Sequence, residues 1–482
     1  MDIGYLTIVI VYFAIVLVIG IWGAKKASYD SYTVADRDVS LPLSVGTFFA
    51  TYISSATVIG FVGYTSLNGA SIFPTYFWGF ALGWLALTLI AARLRRLSLR
   101  SVPSLFEARF GGNTLRVFSA IVTVVAFSFS VMTQLVAGSL VLSSVIGISQ
   151  VVAVILLAIV LIVYTVLGGL VSVVRTDFIQ GGLILLAVIA AFTVAMFQHG
   201  ASAFSVPENL QSMFQGSTPT TADMVALMLV AFGGVAAQPY YLHRFFAARN
   251  TATARQMIGI GALIAGVVYF MIAILGIVMP RALGSEHLGD PAIIQFGLQN
   301  GGLLGTLIVI GIICAVQSTV DSALHLVGVN FTNDVVAVAK PHMPDPVKHT
   351  TARVTTAVTG VLCTVGAVWF IVAEAGFITV LLNIWLGTLS SALLVPLYCS
   401  VLFKWVSRLG ATLSSIGGFL AFFIATAVAE LGLTELPFHQ IYFGLGASLL
   451  GLIIGSFVSR ANPDDEALTR FFSKKDLQYV NR

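Results

Sequence analysis

The chain alternates between long apolar runs and short polar breaks. A helix of about 20 apolar residues crosses a hydrocarbon core of about 30 Å, and most of these runs reach that length. We therefore predict an all-α integral membrane protein with thirteen transmembrane helices. The predicted helices cover residues 4–24, 43–67, 71–92, 116–147, 151–174, 177–198, 223–242, 256–280, 302–332, 352–374, 377–403, 410–432 and 440–459.

The distribution of positive charge supports this count. If successive breaks lie on opposite sides of the membrane, Arg281 alone of the 24 Lys and Arg residues lies on one side, which leaves 23 on the other. Lys and Arg residues collect in cytoplasmic loops. The pattern predicts a multi-pass protein of the plasma membrane, with its N-terminus outside and its C-terminus in the cytoplasm.

The composition agrees with a membrane protein. Charged residues make up 9% and apolar residues 58% of the 482 residues, which is far from the usage of soluble proteins. Loops that face anionic lipid account for the net charge of +4. The expected surroundings are therefore the lipid bilayer, and no nucleic-acid partner is expected.

The sequence has no pattern typical of an enzyme. It contains no His pair at metal spacing, no nucleophile elbow and no phosphate-binding loop. Cys314, Cys363 and Cys399 all lie inside apolar runs, so none is placed for an extracellular disulfide. Transport of a small-molecule substrate is the expected function, and polar residues at membrane depth indicate where it takes place.

The second apolar run, SVGTFFATYISSATVIGFVGYTSLNG, is unusually rich in small and polar residues. These are Thr47, Thr51, Ser54, Ser55, Thr57, Gly60 and Gly63. One interpretation is a discontinuous helix, whose unwound backbone lines a cavity and binds ions and substrate. The other is close packing between helices, because small residues let two backbones approach.

The ninth run carries a polar stripe on one helical face, with Asp321 and His325 at its edge. The stripe consists of Ala315, Ser318, Thr319 and Ser322. Hydroxyl, carbonyl and carboxylate oxygens are hard ligands that suit Na⁺. The alternative is a structural polar face, although a carboxylate at this depth is costly without a partner.

Four further polar positions carry weaker signals: Gln134, Asp177, Gln238 and Asn383. Asp177, with Gln180 three residues later, fits a helix capping box as well as a functional carboxylate. Gln238 precedes Pro239, which removes a backbone hydrogen bond and fits either a second broken helix or a simple kink. Single amides such as Gln134 and Asn383 form interhelical hydrogen bonds more often than they bind a ligand.

The order of the helices predicts an internal repeat. If the broken second helix begins a unit of five helices, the next five begin at the seventh helix and enter from the opposite side. This gives one five-helix repeat over residues 43–198 and a second, inverted one over 223–403. An extra N-terminal helix and loop (1–42), two C-terminal helices (410–459) and a cytoplasmic tail (460–482) complete the expected organisation.

These segments resemble the sodium/solute symporters, which include carriers of sugars, proline, pantothenate, monocarboxylates and iodide. Four motifs in order carry the resemblance, which covers nearly the whole chain: ATYISSATVIGFVG, YTVLGGLVSVVRTDFIQ, AQPYYLHRFFAARN and AVQSTVDSALHLVGVNFTNDV. The resemblance implies the five-plus-five fold of the leucine transporter, with one extra helix before it and two after it.

The resemblance also implies three sets of binding residues, with Na⁺ as the coupling ion. The implied sodium ligands are the backbone carbonyls of Ala50 and Ile53, with Ala315, Ser318 and Thr319. A possible second cation site would consist of Asp177, Asp321 and Ser322. The solute would lie beside Ser54, Ser55, Ala56 and Thr57, with Gln134 and Gln238 within reach.

Several departures bear on the substrate. Tyr52 stands where proline carriers have a carboxylate, and Thr57 stands where sugar carriers have Gln. No Arg lies in the fourth helix, where sialic-acid carriers hold the carboxylate of their substrate, and the ATYIS segment looks most like pantothenate and monocarboxylate carriers. We expect no Lys or Arg deep in any span, so half-helix N-termini, hydroxyls and Na⁺ would hold an anion.

We therefore expect sodium-driven import of a small organic anion, such as a monocarboxylate or a pantothenate-like acid. Two alternatives stay open at this point. One is a proline or sugar symporter of the same family. The other is a proton-coupled carrier of the same fold, in which Asp321 relays the proton.

Overall fold

The computed structural model of the chain describes residues 3–24, 28–69, 72–204, 220–376, 378–460 and 466–473. Within these ranges the chain is helical, and pairing between extended residues is limited to one isolated bridge, Val39 with Ala248. The helices are α1 Ile3–Ala24, α2 Tyr29–Val34, α3 Leu41–Tyr52, α4 Ala56–Asn68, α5 Ile72–Leu97, α6 Pro103–Phe110, α7 Thr114–Ile146, α8 Gln150–Phe204, α9 Thr221–Ala236, α10 Pro239–Ala247, α11 Thr251–Leu283, α12 Ala292–Asn300, α13 Gly302–Ala339, α14 Asp345–Val372, α15 Ile378–Leu402, α16 Arg408–Glu430, α17 Gln440–Val458 and α18 Glu466–Phe471.

The protein is all-helical, with about ten helices that can cross a membrane. Among the described residues ten helical spans are long and apolar enough, or eleven when the bent pair α3 and α4 is counted as one span. The predicted helices over 151–174 and 177–198 both fall within α8, whose helical dihedrals are interrupted at Gly169. The count of thirteen therefore stays a prediction.

Gly169 shows why the predicted boundary at residues 175–176 was misplaced. Its φ of 69° is a left-handed value that glycine adopts without strain. A Cβ at this position would also press on the ring of Tyr32, which lies 2.5 Å away. The interruption in α8 therefore lies at Gly169 rather than at the polar residues that follow it.

The outer surface is more apolar than that of a soluble protein, although the interior is also largely apolar. Large apolar residues face outward, including Leu85, Leu89 and Trp369, each at least 60% exposed. Polar residues such as Gln134 and Asp177 are fully buried. Lipid provides the apolar surroundings for the outer surface, so the polar residues collect where they can bind each other or a solute.

The half-helix α3 lies at the centre of this arrangement. It packs against α8, α11 and α13, while α13 also packs against α7 and α8. Gly46 of α3 lies against Phe178 of α8, and Gly181 lies 3.2 Å from the carbonyl of Gly46, measured from an added Cβ. Small residues at this contact let the two backbones approach closely, which places the polar residues of α3, α8 and α13 side by side.

Candidate functional site

The first transmembrane break lies between α3 and α4, as one interpretation of the second apolar run predicted. α3 ends at Tyr52, and Ile53 leaves the helical region with φ −82° and ψ 85°. The amide of Ser54 donates to the carbonyl of Tyr52 at 3.1 Å, so it no longer serves the carbonyl of Ala50. α4 then begins at Ala56 at an angle of 48° to α3. The break frees backbone carbonyls in the membrane interior.

Two of the predicted sodium ligands, Ala50 of α3 and Ser318 of α13, meet at this break. The hydroxyl of Ser318 donates to the carbonyl of Ala50 at 2.9 Å, and that of Thr319 donates to the carbonyl of Ala315 at 3.1 Å. All four residues are fully buried. In the described part of the chain no donor reaches the carbonyl of Ile53. We call Ala50, Ile53, Ala315, Ser318 and Thr319 the neutral cluster, and its uncharged oxygens fit a hard monovalent cation.

A second cluster lies next to it and contains Arg244 of α10. One nitrogen of the guanidinium, Nη2, donates to Oδ2 of Asp177 at 3.1 Å and to the hydroxyl of Ser322 at 2.9 Å. The same nitrogen lies 2.5 Å from the hydroxyl of Thr51, so its two hydrogens are shared among three oxygens, and Nε donates to Thr47 at 3.0 Å. We call Thr47, Thr51, Asp177, Arg244 and Ser322 the charged cluster. It joins α3, α8, α10 and α13.

Asp177 does not cap a helix. It lies within α8, is fully buried, and accepts a hydrogen bond from Thr47 at 2.5 Å in addition to its bond with Arg244. The capping-box interpretation of Asp177 and Gln180 is therefore wrong. Instead, Gln180 donates to the hydroxyl of Tyr12 at 2.8 Å, which ties α8 to α1.

Asp321 lies close to the charged cluster but outside its hydrogen bonds. It is fully buried, it accepts a hydrogen bond from Thr165 at 3.4 Å, and it is near enough to Asp177 for their charges to repel. Its second oxygen has no hydrogen-bond partner among the described residues. The structure therefore brings Asp177 and Ser322 together around Arg244 and leaves Asp321 beside them with an unsatisfied carboxylate oxygen.

Arg244 was not predicted to belong to the site. The predicted seventh helix ends at residue 242, which leaves Arg244 among the cytoplasmic loop charges, whereas the structure places it within the helical span Thr221–Ala247 with a side chain only 4% exposed. The expectation that no Lys or Arg lies within a span is therefore wrong. The guanidinium reaches Thr51, two residues before Ile53. A usable signal in the sequence was Asp177, a carboxylate at the edge of an apolar run. A carboxylate buried there needs a cation close to it.

The predicted solute residues of α4 and α7 also meet. Oε1 of Gln134 accepts hydrogen bonds from the amide of Ser55 at 3.1 Å and from its hydroxyl at 2.5 Å. The hydroxyls of Ser54 and Thr57 are 3.5 Å apart, and Ala56 begins α4 between them. Nε2 of Gln134 is buried without a partner in the described chain. A donor that costs free energy when unpaired therefore lies beside the break.

Gln238 lies at a second, local break between α9 and α10. Its ψ of 112° interrupts the helix before Pro239. With the side-chain oxygen and nitrogen assigned from the network, the amide donates to the carbonyl of Gly234 at 3.1 Å and accepts from the hydroxyl of Tyr240 at 2.7 Å and from Nε1 of Trp385 at 3.3 Å. Tyr240 and Trp385 were not predicted to belong to the site, because an aromatic residue is common in an apolar run.

Asn383 forms an interhelical contact. Its side-chain oxygen accepts a hydrogen bond from the hydroxyl of Tyr76, which ties α15 to α5. The more frequent role of a single amide in a span, an interhelical hydrogen bond, is the one that Asn383 has here. Gln134 and Asn383 thus differ, because Gln134 keeps a buried donor without a partner among the described residues and Asn383 does not.

Comparisons with known proteins agree with this geometry. A high-affinity proline transporter, PutP of Bacillus subtilis (strain 168), is 28% identical over 345 residues, covering 66% of this chain and 71% of its own. A sodium/sialic acid symporter, NanT of Aliivibrio fischeri (strain ATCC 700601 / ES114), is 25% identical over 481 residues, covering 92% of this chain and 90% of its own.

Two solved structures share the fold. A substrate-bound, outward-open Na⁺-coupled sialic acid symporter superposes with a TM-score of 0.77 at 19% identity, covering 94% of this chain and 97% of that one. MhsT in complex with L-phenylalanine gives a TM-score of 0.55 at 14% identity, over 87% of this chain and 98% of that one. These likenesses place the chain in the leucine-transporter-like architecture.

The family model for the sodium:solute symporter family matches residues 32–418, which include both breaks and both clusters. Members of this family are sodium-coupled transporters, so Na⁺ is the coupling ion. The resemblance seen in the sequence is thus confirmed, and the chain belongs to the sodium:solute symporter family.

Proposed function

We propose that the protein is a secondary active symporter that couples the inward gradient of Na⁺ to import of a small carboxylate-bearing solute by alternating access. The observation that carries the substrate class is the unpaired Nε2 of Gln134, a buried donor beside the break. A carboxylate oxygen of the solute would satisfy this donor and recover its desolvation cost.

The neutral cluster is the proposed sodium site. Two side-chain hydroxyls and the carbonyls near the break supply uncharged oxygens, Ser318 bonds to the carbonyl of Ala50, and all of these residues are buried. Na⁺ would replace the hydrogen bond from Ser318 to Ala50 with direct coordination by both oxygens. Binding would thereby tie α3 to α13, and this tie couples the ion to the state of the broken helix.

The residues Asp177, Asp321 and Ser322 are the proposed second cation site. Two buried carboxylates and a hydroxyl lie close together there, and the carboxylates repel each other. Arg244 bonds to Asp177, and no positively charged group bonds to Asp321 among the described residues. A transported cation at this site would bind oxygens of both carboxylates, as buried carboxylates require.

The proposed solute site lies between Gln134 with Ser55 on one side and Gln238 with Tyr240 and Trp385 on the other. The aromatic ring of Phe127 stacks on that of Tyr240, with centroids 5.0 Å apart. Hydroxyl groups at the start of α4, including Thr57, add donors at a helix N-terminus, where negative charge is favoured. This combination suits a short organic anion such as a monocarboxylate or a pantothenate-like acid.

Proline is the second candidate solute, because the similar proline transporter of Bacillus subtilis covers about two thirds of this chain. Proline also carries a carboxylate that Gln134 could bind. It differs by its ammonium group, which needs an acceptor or an aromatic face, and Tyr240 lies within the proposed site. Competition by proline and by monocarboxylates therefore separates the two candidates.

The loop charges give the proposed orientation in the plasma membrane: N-terminus outside and C-terminus inside. In this orientation α3 is the cytoplasmic half of the broken helix and α4 is the outer half. The two inverted repeats would cover residues 43–198 and 223–403, so that the breaks at Ile53 and Gln238 occupy corresponding positions in the two repeats.

The test is uptake by the purified protein in liposomes. With an inward Na⁺ gradient, we expect uptake that short monocarboxylates or pantothenate compete and that glucose does not. Gln134→Glu replaces the free donor with an acceptor and should weaken carboxylate binding roughly ten- to a hundredfold. Gln150→Glu is the matched control, because the amide of Gln150 bonds to Ser139 away from the break. Equal affinities in both variants would contradict the carboxylate site.

A further inference from the structure

Arg244 is the feature that the proposed function leaves without a role. Its guanidinium donates to residues of three other helices: Thr47 and Thr51 of α3, Asp177 of α8 and Ser322 of α13. Nη1 is bound to the carbonyl of Tyr240, one turn earlier on its own helix, at 2.9 Å. The side chain is therefore held in place along its length and joins four helices at one point.

Two of these contacts involve the same atoms that a transported cation would need. Oδ2 of Asp177 and the hydroxyl of Ser322 both lie within 3.1 Å of Nη2. A cation at the proposed second site would bind these oxygens and would repel the guanidinium. Oδ1 of Asp177 has no partner among the described residues, but a cation bound by it and by Ser322 would still lie a few Å from the guanidinium. Two positive charges so close in a buried site repel each other strongly, so the cation and Arg244 compete for Asp177.

The other two contacts involve α3. Thr47 and Thr51 lie on either side of Ala50, whose carbonyl belongs to the neutral cluster. Ser318 and Ser322 are four residues apart, so the charged cluster lies about 6 Å from the neutral one along α13. In the proposed orientation α10 runs from the break at Gln238 toward the cytoplasm, so Arg244 lies on the cytoplasmic side of that break. Arg244 thus lies on the path between the neutral cluster and the cytoplasm.

On the basis of the proposed symport, we propose that Arg244 is a tethered cation that occupies Asp177 in exchange with a transported cation. While Arg244 is bound there, it holds α3 closed through Thr47 and Thr51. When a transported cation takes Asp177, the guanidinium leaves and α3 is released. Ion occupancy of Asp177 and opening of the cytoplasmic side are thereby coupled through one side chain.

Arg244→Gln and Arg244→Lys separate the two parts of this proposal. Gln removes the charge, so Asp177 becomes available to Na⁺ and α3 loses its tie. Lys keeps the charge near Asp177, but its single ammonium group leaves Thr47, bonded by Nε, and the carbonyl of Tyr240, bonded by Nη1, without their donors. Arg249→Gln is the matched control, because Arg249 pairs with Asp38 on the same predicted side, in an exposed position.

Two measurements on the purified protein test the competition for Asp177 and the tie between Arg244 and α3 separately. The first is the Na⁺ concentration that gives half of the thermal stabilisation, with K⁺ as the reference salt. The second is the alkylation rate of a cysteine introduced at Ser44, a buried position one turn before Thr47. Cys399, which is partly exposed, is replaced by Ser, whereas Cys314 and Cys363 are buried.

We expect Arg244→Gln to lower the half-stabilising Na⁺ concentration roughly tenfold and to accelerate alkylation at position 44. Arg244→Lys should accelerate alkylation while its Na⁺ response stays near that of the wild type. Arg249→Gln should change neither. If Arg244→Gln does not fold, Arg244→Lys alone decides: alkylation at the wild-type rate overturns the proposal.

Two other results would also overturn it: an unchanged Na⁺ response with unchanged alkylation in Arg244→Gln, or a lost Na⁺ response with unchanged alkylation. The second of these would make Arg244 a structural support of the sodium site. A wild-type protein that responds equally to Na⁺ and K⁺ would contradict the proposed symport instead. The alkylation rates would still test whether Arg244 holds α3 closed.

Discussion

Two clusters of polar residues lie about one helical turn apart between α3 and α13, and they differ in charge. The neutral cluster consists of carbonyls and hydroxyls, with Ser318 donating to Ala50. The charged cluster contains the buried pair of Asp177 and Arg244, 3.1 Å apart. The neutral cluster has no charged side chain and carries a charge only when an ion binds to it. The charged cluster contains a positive group of its own, the guanidinium of Arg244. The comparison separates two tasks, binding an ion and controlling its passage.

The largest effect should come from breaking the charged cluster. Asp177→Ala leaves Arg244 buried without its counter-charge, which costs roughly 3–5 kcal/mol of unfolding free energy. Asp38→Ala removes a pair that is more than half exposed on both sides, with an expected cost of about 0–1 kcal/mol. Unfolding in detergent measures both variants. Similar losses would show that the charged cluster is no more important than a surface pair.

The next largest effect should come from the neutral cluster. Ser318→Ala with Thr319→Ala removes two hydroxyl ligands and should weaken Na⁺ binding by about 1.5–3 kcal/mol, or roughly ten- to a hundredfold. The control is Ser414→Ala with Ser448→Ala, which removes a buried hydroxyl pair 2.9 Å apart between α16 and α17. The half-stabilising Na⁺ concentration measures the difference. An unchanged value in the first double variant would rule out the proposed site.

Asp321 should have a smaller effect, on the shape of the Na⁺ response. Asp321→Asn keeps the size of the side chain and removes a carboxylate that has one unpaired oxygen. We expect a folded protein whose Na⁺ dependence is less steep or whose uptake depends differently on pH, because the second cation loses a ligand. Uptake as a function of Na⁺ concentration at two pH values measures this. Wild-type behaviour would leave Asp321 with a purely structural role.

Asp290 offers the smallest and most local contrast, since it is a partly buried carboxylate outside the membrane spans and forms no ion pair among the described residues. It joins the loop before α12 to α15 by accepting a hydrogen bond from the amide of Ile378 at 3.2 Å. Burial raises the pKa of Asp290 from 3.8 to about 6, opposed by that hydrogen bond. A raised pKa means that the folded state favours the protonated carboxyl.

The stability contributed by protonated Asp290 is therefore present below pH 4 and is lost as the pH rises through 6. Asp290→Asn should remove this part of the pH dependence and leave the protein more stable than the wild type at pH 7. Melting temperatures at pH 4, 5, 6 and 7 measure it. The same slope in both proteins would contradict the assignment.

The sequence predicted the parts of the site that depend on local pattern. The break after Tyr52 follows from a dense run of Ser, Thr and Gly, and the face shared by Ala315, Ser318 and Thr319 follows from helical spacing. The partners across the fold did not follow in the same way. Gln134 meets Ser55 across 79 positions of the chain, a distance over which local pattern carries no information.

Arg244 is the clearest example of a site residue that local sequence pattern did not predict. Hydropathy ends a span at the first strong charge, so Arg244 was assigned to a loop although its partner Asp177 lies 67 positions away on another helix. A buried ion pair makes a charge compatible with membrane depth only when both partners are in place. The error therefore arose from treating each charge separately.

The most direct test of the account is uptake into liposomes that contain the purified protein, under three conditions. These are an inward Na⁺ gradient, an inward proton gradient without Na⁺, and neither. We expect accumulation of a short carboxylate solute only with the Na⁺ gradient, and its loss in the Ser318→Ala, Thr319→Ala variant. Accumulation driven by protons alone, or Na⁺-driven uptake that survives in that variant, would contradict coupling through the neutral cluster.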